Sequence, residues 1–230
     1  MIDLDQRSAG VLLHVTSLPG PHGIGDFGPD AYRFIDWLQS AGQRVWQWLP
    51  TNPIGPGNSP YQSVSAFAGS PLMVALEPLI AAGWLSTPGL PESGFDAKFV
   101  DFGHVIGWRH AQLRSAYAGF VAKQDADEHA AFALWSAQQT DWLDDYTLFM
   151  ALETAYHGQP WWQWPAPLCD REAAALTDAR KQHADEIGFW AFVQWCFDTQ
   201  SHALKQYAND RGVAIMGDLP IFIAHHSADC

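Results

Sequence analysis

The residues best suited to chemistry fall in two stretches far apart in the chain. The first runs from Leu49 to Gly69, LPTNPIGPGNSPYQSVSAFAG. Proline fixes φ near about −65° and removes a donor, so Pro50, Pro53, Pro56 and Pro60 let this stretch keep one shape at little entropic cost. Asn52, Asn58, Ser59, Tyr61, Gln62 and Ser63 supply hydrogen-bonding groups. A long, stiff, polar loop serves equally as a ligand-binding wall or as a surface connection. The second stretch is VAIMGDLPIF, in which an apolar run ends at Asp218 and Pro220 breaks the ladder. Asp218 reads either as a site acid at a strand end or as an acid satisfying loop N–H groups.

Other constellations are weaker. Retaining glycosyl transfer needs two carboxylates about 5 Å apart, and Glu77, after the apolar LMVAL, is a poorer partner than Asp218. His225-His226 with Asp229 resembles a ligand cluster, but adjacent residues on a strand point apart. With no H-x-x-x-H and no Cys/His pairing, no metal site is expected. Gly23, Gly25 and Gly28 follow the G-x-G-x-x-G spacing of a dinucleotide loop. Pro29-Asp30 would then put a carboxylate where a pyrophosphate sits, which argues against a nucleotide. Trp161, Trp162 and Trp164 offer faces for sugar rings, or pack one part of the chain on another; packing is the favoured reading.

The elements that must position these groups follow from periodicity. Gly10–Leu18 is a compact apolar run ending in Pro19-Gly20, read as a buried strand. Pro29-Asp30 opens a helix whose Ala31, Phe34, Ile35 and Leu38 share a face, and Gly42 ends it. VWQWL (45–49) alternates as a second strand, parallel to the first. That puts the 49–69 loop at the C-terminal edge of a parallel pair, where such folds bind ligands. Leu72–Leu76 reads as extended, followed by a short helix to Gly83. From 86 to 185 the pattern is helical with no convincing strand. Ile187–Asn209 is the clearest helix, with Phe189, Val193, Cys196, Gln200, Leu204 and Tyr207 on one face, and 213–217 is a third strand.

Composition limits the partners. A formal charge of −13 without a basic run argues against nucleic acid and against an anionic membrane. No apolar run reaches the roughly 18 residues of a membrane helix. Three dispersed cysteines, Cys169, Cys196 and Cys230, and an N-terminus without signal-peptide shape predict a cytoplasmic protein.

Four segments carry a resemblance: SAGVLLHVTSLPGPHGIGDFG, VWQWLPTNPIGPGNSPYQSVSAFAGSPL, the WLDDYTLF to W-x-x-WP region, and YANDRGVAIMGDLPIFIAHHSAD. In order and over nearly the whole chain, they resemble the N-terminal part of the 4-alpha-glucanotransferases of the amylomaltase (disproportionating enzyme) family. The resemblance implies an α/β fold, the N-terminal portion (about three strands) of a (β/α)8 TIM barrel with a large helical insertion. Residues 1–85 would hold the first two βα units and the substrate loop, 86–185 the helical insertion, and 186–230 a helix and the third strand. It implies transfer of α-1,4-glucan segments between maltooligosaccharides by a retaining covalent mechanism, with no cofactor. Ser59 and Tyr61 of the SPYQS loop and Asp218 of the GDLPIF strand match sugar-binding positions. The chain departs from the family pattern at His226, where an Asp is usual. No catalytic residue is expected within the 230 residues: the nucleophile Asp and acid/base Glu are expected downstream of Cys230, so the chain alone is expected to be inactive. The alternative reading is a non-catalytic α-glucan-binding protein.

Overall fold

The structure, a computed structural model, describes residues 7–89, 91, 94–96 and 98–230. The N-terminal segment 1–6, on which part of the signal-peptide reading rests, and parts of the 86–94 loop lie outside the described residues.

Three parallel strands form one sheet: β1 (Gly10–Leu12), β2 (Val45–Gln47) and β3 (Ala214–Met216), in the order β1-β2-β3. The register aligns Val11, Trp46 and Ile215 on one face, and Leu12, Gln47 and Met216 on the other. The first face is covered. Trp46 and Trp48 pack with Val15, Leu18 and Phe27 from the β1–α1 connection, with α1 (Pro29–Ser40), and with the far end of α8 (Ala184–Asp210). The second face is open, with Leu12 and Met216 about half exposed at 57% and 46%.

The strands are shorter than the apolar runs predict. After Leu12 the chain turns through a 3-10 segment at Val15–Ser17. Gly25 donates to the Thr16 carbonyl there, and Val15 and Leu18 are buried under the sheet rather than within it. A second 3-10 turn, Pro71–Met73, replaces the extended piece expected from Leu72. The helix beginning at Pro29 is as predicted, with Ala31, Ile35 and Leu38 buried and Gly42 at φ +70° beyond its end.

The segment between 86 and 185 is helical among its described residues: α3 (Phe102–Lys123), α4 (Ala126–Gln138), α5 (Thr140–Ala155), α6 (Ala166–Cys169) and α7 (Ala173–Gln182). α2 (Glu77–Ala81) precedes them. Leu113, Ala116 and Phe120 of α3 and Tyr146, Phe149 and Leu152 of α5 meet Phe189, Phe192, Val193 and Cys196 of α8 in a second core. At 27 residues, α8 is roughly 40 Å long and belongs to both cores. Its first half packs the helices, and its second half, through Leu204 and Ala208, packs the sheet.

One buried ion pair ties α3 to the loop before α1. Arg109, fully buried, donates to Asp26 at 2.9 Å and to the Val74 carbonyl at 3.2 Å. The other Asp26 oxygen accepts the Gly28 N–H at 2.9 Å, at the entrance of α1. Burial pushes the Asp26 carboxyl up and the Arg109 guanidinium pulls it back. Removing one partner of such a pair strands the other charge. Arg109→Ala is therefore expected to cost about 3–5 kcal/mol, read as a lowered midpoint in urea unfolding, with partial recovery in the double variant Asp26→Asn, Arg109→Met.

Candidate functional site

The loop that leaves β2 closes on itself before it reaches the site. Its neck is pinned by Ser70 N–H on the Thr51 carbonyl (2.8 Å) and by the buried Asn52 amide on the Ala68 carbonyl (3.0 Å). Gly55 donates to the Ser59 carbonyl, and a Cβ at Gly55 would run into the Gln62 carbonyl. A Pro56–Asn58 3-10 turn, with Gly57 and Asn58 both at positive φ, makes the tip. These contacts explain the sequence: prolines set the path, and glycine stands where two backbone segments touch.

The loop is fastened from two sides. Buried Gln194 of α8 takes both backbone groups of Gly69, accepting its N–H at 2.7 Å and donating to its carbonyl at 2.9 Å. Gln200 does the same for Ala75, at 2.7 and 3.1 Å. On the other side, Asp229 accepts from the Ser65 hydroxyl (3.0 Å) and from the Ala66 N–H (2.6 Å), and Ala228 N–H reaches the Val64 carbonyl (2.8 Å). Asp229, read from sequence only as a possible ligand partner of His225-His226, is a loop anchor here.

This framework brings two predicted site residues together. The Tyr61 hydroxyl donates to Asp218 Oδ2 at 2.7 Å across 157 positions of sequence. Asp218 lies just beyond the end of β3, at the same sheet edge from which the loop leaves β2. Ser59 stands at the base, its Oγ accepting the Tyr61 N–H at 3.3 Å. The pair stays accessible: Tyr61 is 44% exposed. Beside it opens a cleft of about 640 Å³, walled by Ile54, Tyr61 and Gln62 on one side and by Glu153, Phe222 and His226 on the other.

The remaining candidates separate from this centre. Glu77 begins α2 and lies 4.0 Å from His22 Nδ1, next to the Asp26–Arg109 pair. His22, Asp26 and Glu77 are the single trio of metal-ligating groups within 4.8 Å among the described residues. The Arg109 guanidinium already supplies positive charge to that trio. Burial, and then the Arg109 charge, lower the His22 pKa. Gly23, Gly25 and Gly28 are explained by packing: added Cβ atoms would meet Phe95, the Val15 carbonyl and Asp26 respectively. The tryptophan loop divides its work. Trp164 is buried against Phe149 and Tyr156, whereas Trp162 is 45% exposed and stacks on His225 at 4.5 Å. His226 accepts the Trp161 N–H at Nδ1 (3.3 Å) and turns Nε2 toward Glu153 Oε1 (3.5 Å).

A family model described as 4-alpha-glucanotransferase matches residues 13–230. The chain belongs to the 4-alpha-glucanotransferase family. Among its relatives, the 4-alpha-glucanotransferase of Thermus thermophilus is 46% identical over 223 residues, covering 97% of this chain and 44% of that protein. That of Synechocystis sp. is 41% identical over 227 residues, covering 98% and 45%. The structure of amylomaltase from Streptococcus agalactiae in complex with acarbose superposes with a TM-score of 0.90 at 32% identity, covering 97% of this chain and 45% of that one. The chain therefore spans about 45% of the length of these relatives.

Sequence reasoning missed Gln194 and Glu153, and named Gln62 only as one of the loop's hydrogen-bonding groups. Gln194 leaves a trace, a glutamine inside the otherwise apolar WAFVQWCF. Glu153 leaves none that separates it from an ordinary helix-surface residue.

The Tyr61–Asp218 contact has a titration signature. Its hydrogen bond to Asp218 raises the Tyr61 pKa, because ionisation would destroy the donor and set two negative charges side by side. Tyr61 is expected to ionise above the ordinary tyrosine range of about 10, and Asp218→Asn to bring it back down. The folded-state value being raised, the associated stability is present below the unfolded-state pKa and fades as pH rises through the folded-state one. NMR titration of ¹³C-labelled tyrosine checks this; an unchanged Tyr61 in Asp218→Asn would refute it.

Proposed function

We propose that this chain forms the sugar-binding N-terminal part of a 4-alpha-glucanotransferase acting on α-1,4-linked maltooligosaccharides. The observation that carries the reading is the Tyr61–Asp218 hydrogen bond at the C-terminal edge of a parallel sheet, beside a cleft of about 640 Å³. A glucosyl unit offers hydroxyl donors along its rim and C–H groups on its faces. Asp218 has acceptor capacity beyond the Tyr61 bond, Ser59 is a small donor and acceptor, and Tyr61 presents both a ring face and a phenol. At neutral pH the phenol is protonated and donates to Asp218. That the Streptococcus agalactiae amylomaltase was solved in complex with acarbose supports a sugar-like ligand for this chain.

On this reading the fold is the opening portion of a (β/α)8 barrel. The open Leu12, Gln47, Met216 face supports it, since parallel sheets are ordinarily covered on both faces. Leu219, Ile221 and Phe222, all more than three-quarters exposed, lie along the same rim. Residues 1–85 contribute the first two βα units, 86–185 the helical insertion, and 186–230 the long helix and third strand. Transfer proceeds with retention through a glycosyl–Asp intermediate: an aspartate displaces the leaving sugar, whose oxygen takes a proton from a glutamic acid, and an acceptor 4-hydroxyl, giving its proton to that glutamate, then displaces the aspartate. Ser59, Tyr61 and Asp218 hold the glucan and take no covalent part. The relatives' shared description as transferases favours this over a solely glucan-binding role.

Tryptophan fluorescence titrated with maltotriose tests the reading. Saturable binding is expected, weakened about tenfold or more in Asp218→Ala, equivalent to about 1.4 kcal/mol or more, and less in Tyr61→Phe. A flat titration into the millimolar range, by a chain that melts cooperatively, would overturn it.

A further inference from the structure

The inner wall of the cleft carries a polar pair, Glu153 and His226. Glu153 closes the last turns of α5, and His226 lies in the segment after β3. Their side chains are only about a quarter exposed, at 26% and 25%, and both border the same cleft as Tyr61 and Gln62. His226 Nδ1 accepts the Trp161 backbone N–H at 3.3 Å, which leaves the ring proton of the neutral imidazole on Nε2. Nε2 is shut off from solvent, has no hydrogen-bond partner, and points at Glu153 Oε1 across 3.5 Å, too far for a good hydrogen bond. The imidazole is held in place by the Phe149 ring at 5.2 Å and by Trp162 at 5.9 Å. The imidazole thus backs the carboxylate, which borders the cleft and keeps acceptor capacity toward it.

The walls around it are apolar: Ile54, Val64, Phe222 and Ile223. A half-desolvated carboxylate among apolar walls, with the Gln62 amide and Tyr61 phenol nearby, suits a neutral ligand with hydroxyl donors on an apolar frame. We propose that Glu153 is a further substrate-contacting residue, accepting hydrogen bonds from hydroxyls of a glucosyl unit in the cleft, and that His226 is the positioning residue that orients it. This rests on the α-glucan reading above. A partly buried acceptor that receives a hydroxyl discriminates against ligands that lack it, because it is then left unpaired in a part-desolvated site. Glu153 would therefore set which sugar hydroxyls the cleft requires.

Calorimetric titration of the chain with maltotriose and with its monodeoxy analogues tests this, with thermal melting of every variant alongside. The wild-type chain is expected to bind maltotriose about tenfold more tightly than at least one monodeoxy analogue. Glu153→Ala should weaken maltotriose about tenfold and bring that analogue level with it; Glu153→Gln, which keeps the shape, should show a smaller loss of the same discrimination. His226→Ala should weaken both, and His226→Gln, which returns an N–H near Nε2, should recover part of the loss. If the wild type binds maltotriose while Glu153→Ala and Glu153→Gln bind it equally well with the same discrimination, the proposal fails and the α-glucan reading stands. If the wild type binds no maltooligosaccharide, both fail.

Discussion

Everything near the cleft depends on two glutamines of one helix. Gln194 and Gln200 point from α8 into the interior and each takes both backbone groups of a single residue, Gly69 and Ala75. Each amide does what a neighbouring β-strand would do, and does it for a segment with no strand partner. A buried backbone group left unmet costs about 1–3 kcal/mol, so the chain between Gly69 and Ala75 has little freedom to leave α8. Close approach is part of the same constraint: a side chain at Gly69 would collide with the Phe197 ring. The neck of the loop, and with it Ser59 and Tyr61, inherits its position from this helix.

The helix can serve as that reference because it is anchored in both cores. Its first half is embedded among α3, α5 and the aromatic rings that surround Trp84 and Phe120, and its second half lies under Trp46 and Trp48. A shift of α8 against the sheet would have to open close-packed aromatic contacts at both ends. The exposed Tyr61–Asp218 hydrogen bond would contribute little to stability as an isolated surface contact. Its value lies in preorganisation: loop and strand end are already held where a ligand meets both, so less ordering accompanies binding.

The segment after β3 completes the enclosure. It carries three different kinds of contact within a few residues. Asp229 grips the loop, Ser227 is buried at 2% exposure, and His225 and His226 lock onto the tryptophan loop. The departure from the family pattern at His226 is therefore accommodated by local contacts. The imidazole accepts a backbone N–H at Nδ1 and faces the Glu153 carboxylate across 3.5 Å at Nε2. The tryptophans, ambiguous from composition, divide by depth: Trp164 fills the core, and Trp162 remains at the surface against His225.

Much of the frame was legible in the residues. The helix from Pro29, the long helix ending before Gly212, the three parallel strands and the placement of Leu49–Gly69 at their C-terminal edge follow from periodicity, caps and the rule that a strand–helix–strand unit is parallel. These are local properties, set by which neighbours along the chain can share a face. Ser59, Tyr61 and Asp218 were nameable because motif and strand end coincide. What periodicity overstated was strand length, since apolar runs at Val15–Leu18 and Pro71–Met73 are buried by turns instead of by a ladder. Only the tertiary structure decided that Tyr61 meets Asp218, that Gln194 holds Gly69, that Asp229 is an anchor, and that Glu153 and His226 share a wall. Each of those contacts joins residues between 73 and 164 positions apart. Local sequence specifies the groups at such ends but not their distance, which is fixed by how two cores pack around a single helix.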